Sequence, residues 1–273
     1  MERATHVLVQ ISDPHLVPEG PLPRDRRDPH PAFAAAVDTV LAADVAPAAV
    51  LLTGDLAEAG DAASYRRVRA QADRLAVPVL AVAGNHDDRA ALREHLLGAG
   101  PSAAPLDTVV EVDGLRIVVL DSTVPGHGHG ELRPAQLSWL AAELARPAPH
   151  GTVLALHHPP LPSTSRFTAR IALRDRAALA AVLAGTDVRI VLAGHTHVTS
   201  AGALAGIPVW TGAATSAVWD GLAPAGTARV VHAPVVSRID LFDGGEVIAT
   251  AVPVGAPVAN GVALAPPAQR PRT

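Results

Sequence analysis

The chain has no cysteine and no lysine, a single methionine, and only 3% aromatic residues. Without cysteine there can be no disulfide, zinc ribbon or thiol nucleophile. With so few aromatics, a core has to be assembled from Val, Leu, Ile and Ala. All 22 basic residues are arginine; they stand against 26 acidic residues for a net charge of −4. No basic run occurs, so the electrostatic footprint of a nucleic-acid-binding protein is missing. Nor is there an unbroken apolar stretch of the roughly 18 residues that would suggest a membrane helix. A strand-like run begins at His6, with no charged segment leading into an apolar leader. The expectation is a soluble, cytoplasmic protein.

What the chain does have is 49% hydrophobic residues over 273 positions, enough for a sizeable core. Short runs rich in Val, Ile and Leu occupy 6–11, 49–53, 77–82, 108–112, 115–120, 152–156, 188–193, 199–204, 207–211, 228–232, 235–242 and 246–252. Segments of helical period fill 31–44, 61–75, 88–97, 133–145 and 174–184. The segment at 133 opens with Arg-Pro, and proline suits a first helical turn. Strand and helix alternate in the first half, which is the mark of an α/β arrangement with buried strands. Beyond Val188 the strands follow one another and imply antiparallel pairing. One domain over 1–253 is expected, followed by a Pro/Gly/Ala-rich disordered tail over 254–273.

The polar residues sit where chemistry is done. Five apolar runs each end in a small polar cluster: Asp13-Pro14-His15, Gly54-Asp55, Gly84-Asn85-His86-Asp87, His157-His158-Pro159 and Gly194-His195-Thr196-His197. In α/β sheets ligands bind at the carboxyl ends of strands, so five such ends side by side would form one rim. Glycine before Asp55, Asn85 and His195 lets the backbone turn sharply and present the next side chain. Any one cluster is weak evidence, because Asp after a strand is usually a turn former or a helix cap. Their joint occurrence, in order, carries the weight.

That ordered set resembles the calcineurin-like metallophosphoesterase superfamily. Leu56-Ala57-Glu58, His129-Gly130-Glu131-Leu132, Gln136 to Leu140 and Leu156 to Pro162 further resemble the bacterial class III cyclic-nucleotide phosphodiesterases, above all actinobacterial ones. The resemblance implies a four-layer α-β-β-α sandwich of two mixed sheets flanked by helices, and often a homodimer. It also implies two metal positions, one of Asp13, His15, Asp55 and His197, the other of Asp55, Asn85, His157 and His195, with Asp55 bridging. His86 matches the catalytic histidine, and His15, Asn85 and His86 are expected at the substrate.

Nitrogen and oxygen donors suit Mn, Fe, Zn or Co better than Mg or Ca. Two such ions can clamp the attacking and leaving oxygens of an in-line displacement by a bridging hydroxide. Two carboxylates and one hydroxide leave the centre slightly positive, attractive to a phosphodiester anion. That charge favours phosphate esters in general; it is the resemblance that implies a small-molecule phosphodiester, 3′,5′-cyclic AMP or a similar nucleotide, as the substrate. The same core would also serve 2′,3′-cyclic nucleotides or glycerophosphodiesters, and a non-catalytic scaffold would be expected to lose ligands kept here. Activity should fall as the histidines protonate below about pH 6.

For the other polar residues the plainer reading comes first. His6, His30, His95, His150 and His232 are expected at the surface, and His127 and His129 in a solvated loop over Pro125 to Gly130. Glu58 is expected to cap a helix or face solvent, and His158 to sit beside a ligand or at the surface. Arg166, Phe167 and Arg170 are expected either in a pocket wall or in a mobile surface loop, and Trp139 in the core.

Overall fold

A computed structural model describes residues 3–23, 26–163, 168–223 and 229–255. In chain order the elements are β1 (His6–Ile11), α1 (His30–Leu41), β2 (Ala49–Thr53), α2 (Ala62–Ala72), β3 (Val79–Val82), α3 (Arg89–His95), β4 (Thr108–Val112) and β5 (Leu115–Leu120). A small hairpin follows, β6 (Thr123–Val124) and β7 (His127–Gly130), then α4 (Pro134–Glu143), β8 (Thr152–Leu156), α5 (Arg176–Leu183) and β9 (Val188–Ala193). The last part contains β10 (Ser200–Leu204), β11 (Ile207–Thr211), β12 (Val218–Trp219), β13 (Val230–Val231), β14 (Val235–Leu241) and β15 (Val247–Pro253).

Two mixed sheets result. One has the order β15-β14-β1-β2-β3, the other β10-β11-β9-β8-β5-β4. Strands β1, β2 and β3 run parallel, as do β5, β8, β9 and β11, while β14, β15, β4 and β10 pair antiparallel at the flanks. The sheets face each other across a layer containing Leu8, Leu51, Val82, Ile117, Val153, Ile190 and Ile239, without an aromatic among its buried members. Each fully buried Leu or Ile there contributes roughly 1.5–3 kcal/mol. Phe33, Val37, Tyr65, Val68 and Leu92 seal helices α1–α3 onto the outside of the first sheet, and Leu140, Leu144, Leu179 and Leu183 seal α4 and α5 onto the second. These are the four layers expected from the sequence.

Helix boundaries follow local chemistry. Asp61 and Asp88 cap α2 and α3 by accepting the backbone N–H of Ser64 and Ala91, which satisfies donors that a helix start leaves open. At α4, Pro134 takes the first turn and Gln136 Oε1 accepts the Arg133 N–H at 3.1 Å.

The expected loop over Pro125 to Gly130 is instead largely the β7 arm of a hairpin, and β12 was not foreseen at all. Both are two-stranded, and their strands are too short to show an alternating pattern. The run at 228–232 contracts to Val230–Val231. Arg166, Phe167 and the tail from 256 onward lie outside the described residues; Arg170 ends an exposed 3₁₀ turn at Thr168–Arg170. No helix among the described residues is long and apolar enough to cross a membrane.

Candidate metal centre

The carboxyl ends of β1, β2 and β3 meet those of β8 and β9 at one edge of the sandwich. All seven expected donors converge there. Asp13 and His15 follow β1, Asp55 follows β2, Asn85 follows β3, His157 follows β8, and His195 and His197 follow β9.

The backbone is bent to achieve this. Asp13, His15, Asp55, His195 and His197 all have positive φ, between 47° and 70°. Only three other non-glycine residues among those described share this conformation. Each such residue is held against a steric cost on the order of 1–3 kcal/mol, and such strain concentrates at functional sites. The glycines before these residues serve two different ends. Gly54 turns the chain, with φ +91°. Gly84 and Gly194 instead make room: a Cβ on Gly84 would lie 2.2 Å from Asp55 Oδ1, and one on Gly194 would lie 2.1 Å from Ser12 Oγ.

Each of the four donor imidazoles is pinned by one nitrogen to an oxygen that can only accept. His15 Nδ1 donates to Glu58 Oε2 (2.8 Å), His157 Nδ1 to the Thr53 carbonyl (2.9 Å), His195 Nε2 to the Ile171 carbonyl (2.8 Å) and His197 Nδ1 to the Ala217 carbonyl (2.9 Å). Those bonds fix the tautomer, so the second nitrogen of each neutral ring presents a lone pair inward. The inward nitrogens face each other: His15 Nε2 lies 3.0 Å from His197 Nε2, and His157 Nε2 lies 3.2 Å from His195 Nδ1. Asn85 Oδ1 also lies 3.2 Å from His157 Nε2. Lone pairs aimed at one another at this distance repel unless a cation is shared between them.

Asp55 stands between the two groups. Its Oδ2 is 3.5 Å from His15 Nε2 and 3.4 Å from His157 Nε2, while Oδ1 accepts the His86 N–H at 2.8 Å. Ligand atoms of Asp13, His15, Asp55 and His197 lie within 4.8 Å of one another, a spacing that a single ion can span. Asp13 is held by a relay in which Gln10 Nε2 donates to Thr53 Oγ1, Thr53 to Ser12, and Ser12 to Asp13 Oδ2. The backbone N–H of His195 also points at the Asp13 carboxylate, at 3.0 Å.

The electrostatics match this geometry. Burial opposes the charge on Asp55, yet His157, His15 and His86 hold its carboxyl well below the usual range. Burial likewise opposes a charged His157, and the Asp55 carboxylate overcomes it, raising the imidazole to about 9. His195 goes the other way: burial, then the neighbouring His157, lowers it to about 4. The Asp13 carboxyl is lowered as well, so the centre offers two buried carboxylates that cations can balance.

His86 stands apart from the inward donors. Its Nδ1 donates to the Glu58 carbonyl at 2.8 Å, its ring meets His15 edge-on at 4.7 Å, and its Nε2 has no partner among the described residues. The side chain is 39% exposed, unlike the buried donors beside it.

Three plainer readings are corrected, those of Glu58, His6 and His129, while for His158 the place beside a ligand holds. Glu58 neither caps a helix nor merely faces solvent; its carboxylate orients His15 and its carbonyl orients His86. His158 is buried, with Nε2 donating to the Gly128 carbonyl (3.2 Å) and Nδ1 accepting from Ser122 Oγ (2.8 Å). Its ring packs 4.4 Å from that of His195. A group of His157, His158 and His195 has metal-like spacing, but both His158 nitrogens are engaged, which leaves it a support and not a donor. His6 is buried because β1 is a central strand covered on both faces; its Nε2 donates to the Asp113 carbonyl. His129 is half-buried beside Glu131, whereas His127 is exposed as expected.

This fold and this convergence of Asp, Asn and His at five strand ends define a phosphoesterase class. The calcineurin-like phosphoesterase family model matches residues 6–199, and the chain belongs to that family. Among named relatives, it is 44% identical over 274 residues to a cAMP/cGMP dual specificity phosphodiesterase of Mycobacterium tuberculosis, covering 93% of this chain and 85% of that protein. It is 43% identical over 217 residues to a probable cyclic nucleotide phosphodiesterase of Rhodococcus erythropolis, covering 78% of this chain and 72% of that one. The fold is shared with a purple acid phosphatase from yellow lupin at a TM-score of 0.61, 14% identity, and coverage of 89% of this chain and 50% of the other.

Proposed function

We propose that this protein is a dinuclear metal-dependent phosphodiesterase that hydrolyses 3′,5′-cyclic nucleotides. The observation that carries the metal centre is the set of four imidazoles tied outward by carbonyl or carboxylate oxygens, their free nitrogens converging around Asp55. Asp13, His15, Asp55 and His197 would hold one ion, and Asp55, Asn85, His157 and His195 the other. Nitrogen and oxygen donors of this kind fit Mn, Fe, Zn or Co. Two such ions supply Lewis-acid charge to the phosphoryl oxygens and lower the pKa of water towards that of a usable nucleophile.

The chain's own groups do the rest. Pinned imidazoles and strained backbone keep the donors preorganised, so little rearrangement accompanies the reaction. With Nδ1 fixed on the Glu58 carbonyl, His86 can exchange a proton with a leaving oxygen only through Nε2. The similarity to cyclic-nucleotide phosphodiesterases over nearly the whole chain supports that substrate class.

The test is to purify the protein with Mn and assay 3′,5′-cyclic AMP, 3′,5′-cyclic GMP, 2′,3′-cyclic AMP, a glycerophosphodiester and bis(p-nitrophenyl) phosphate. Hydrolysis of the 3′,5′-cyclic nucleotides is expected, abolished by chelation and restored by metal. No metal-dependent turnover of any ester would overturn the catalytic reading. Turnover confined to the glycerophosphodiester would overturn the substrate class alone.

Glu58 supplies a second check on the ligand set. Removing the partner of a metal-binding imidazole typically weakens metal affinity about 10–100-fold. Glu58→Ala is expected to show a loss of that size in a metal titration, and Glu58→Gln, which keeps an acceptor for His15, a smaller one. Wild-type affinity in both variants would mean that His15 does not hold a metal.

A further inference from the structure

Beside the centre lies a slot of about 330 Å³, at the lower end of the sizes that bind small organic molecules. Its roof is the segment after His157, including Leu161 and Pro162, and its floor is the outer face of β10 and β11 at Ser200, Gly202 and Thr211. Roof and floor meet at Gly202, where an added Cβ would sit 2.8 Å from Leu161 Cδ2, so the open part of the slot lies to either side of that contact. His195 forms the wall shared with the metal centre.

Two features say what the slot takes. No Asp, Glu or Arg lines it among the described residues. A second phosphate or a cationic headgroup would find no counter-charge there, whereas an uncharged planar ring would be well matched. The second feature is Thr211. It is fully buried, yet its Oγ1 has no hydrogen-bond partner. An unsatisfied buried hydroxyl costs about 1–3 kcal/mol, and buried polar groups are nearly always paired.

We propose that this slot is the subsite for the purine base of the substrate, and that Thr211 Oγ1 hydrogen-bonds its edge. This rests on the cyclic-nucleotide reading above. A hydroxyl can donate or accept, so Thr211 can serve either the amino group of adenine or the carbonyl oxygen of guanine. The slot therefore accepts both purines with little preference.

The test is Thr211→Val, which swaps the hydroxyl for a methyl of nearly the same shape, so the variant is expected to keep or raise its unfolding midpoint. One neutral hydrogen bond corresponds to about a threefold to tenfold change in affinity. For both cyclic AMP and cyclic GMP, kcat/KM relative to that on bis(p-nitrophenyl) phosphate, which has no base, is expected to fall by that factor. Inhibition of bis(p-nitrophenyl) phosphate hydrolysis by adenosine should weaken in parallel. Ser200→Leu, which adds bulk at the half-buried rim opposite Thr211, should lower the same ratio further. Unchanged ratios and adenosine inhibition in both variants, with cyclic nucleotides still hydrolysed, would overturn the base subsite and leave the Thr211 hydroxyl to an ordered water. Equal losses on all three esters with adenosine inhibition unchanged would also overturn it, by showing that the substitutions act through His195. A wild-type enzyme that cleaves bis(p-nitrophenyl) phosphate but neither cyclic nucleotide would instead overturn the cyclic-nucleotide reading and the subsite with it.

Discussion

Asp55→Asn is expected to reduce kcat/KM on cyclic nucleotides by about a thousandfold or more, because the side chain serves both halves of the centre. A metal ion's stabilisation of developing charge is worth several kcal/mol, and each 1.36 kcal/mol is tenfold in rate. The asparagine keeps an oxygen to accept the His86 N–H, now made at 2.8 Å to Oδ1. It loses the charge of Oδ2, which lies 3.5 Å from His15 Nε2 and 3.4 Å from His157 Nε2. No other carboxylate replaces it, since Asp13 lies on the His197 side, 3.5 Å from His197 Nε2. Metal analysis of the purified variant should show less than the full complement, with its fold intact by circular dichroism. Wild-type kcat/KM with both metals retained would sink the bridging role. A defect cured fully by excess metal would confine Asp55 to retention and remove it from the chemistry.

Much of this centre is legible in the sequence because strand ends in α/β folds have a plain signature. An apolar run of four to six residues stops, and a small residue and a polar one follow. All seven expected donors and His86 lie within four residues of such a strand end, although His157 follows Leu156 with no small residue between. Their supports are not marked in this way. Three of the four oxygens that pin the imidazoles are backbone carbonyls, of Thr53, Ile171 and Ala217, and any residue type supplies a carbonyl. Glu58 was visible but ambiguous, because an acid three residues beyond a ligand fits a cap or a solvated turn equally well. The left-handed backbone of Asp13, His15, Asp55, His195 and His197 runs against the usual preference for glycine there, so tertiary packing and not local propensity sets it. The slot is hidden for a related reason: Ser200 and Thr211 become neighbours only through the β10–β11 register.

His86→Ala is expected to separate catalysis from metal binding. The His86 ring contributes none of the inward-facing nitrogens, so the variant should retain its metals. A positioned acid contributes about 10²–10⁴-fold when the leaving group needs a proton, as the ribose alkoxide of a cyclic nucleotide does. A nitrophenolate is a far weaker base and departs without one, so the deficit on bis(p-nitrophenyl) phosphate should be much smaller. Comparing kcat on the two esters therefore reads the proton transfer directly. Equal losses on both esters would show that His86 only holds the phosphate. The Glu58 carbonyl would then orient a binding group and not an acid.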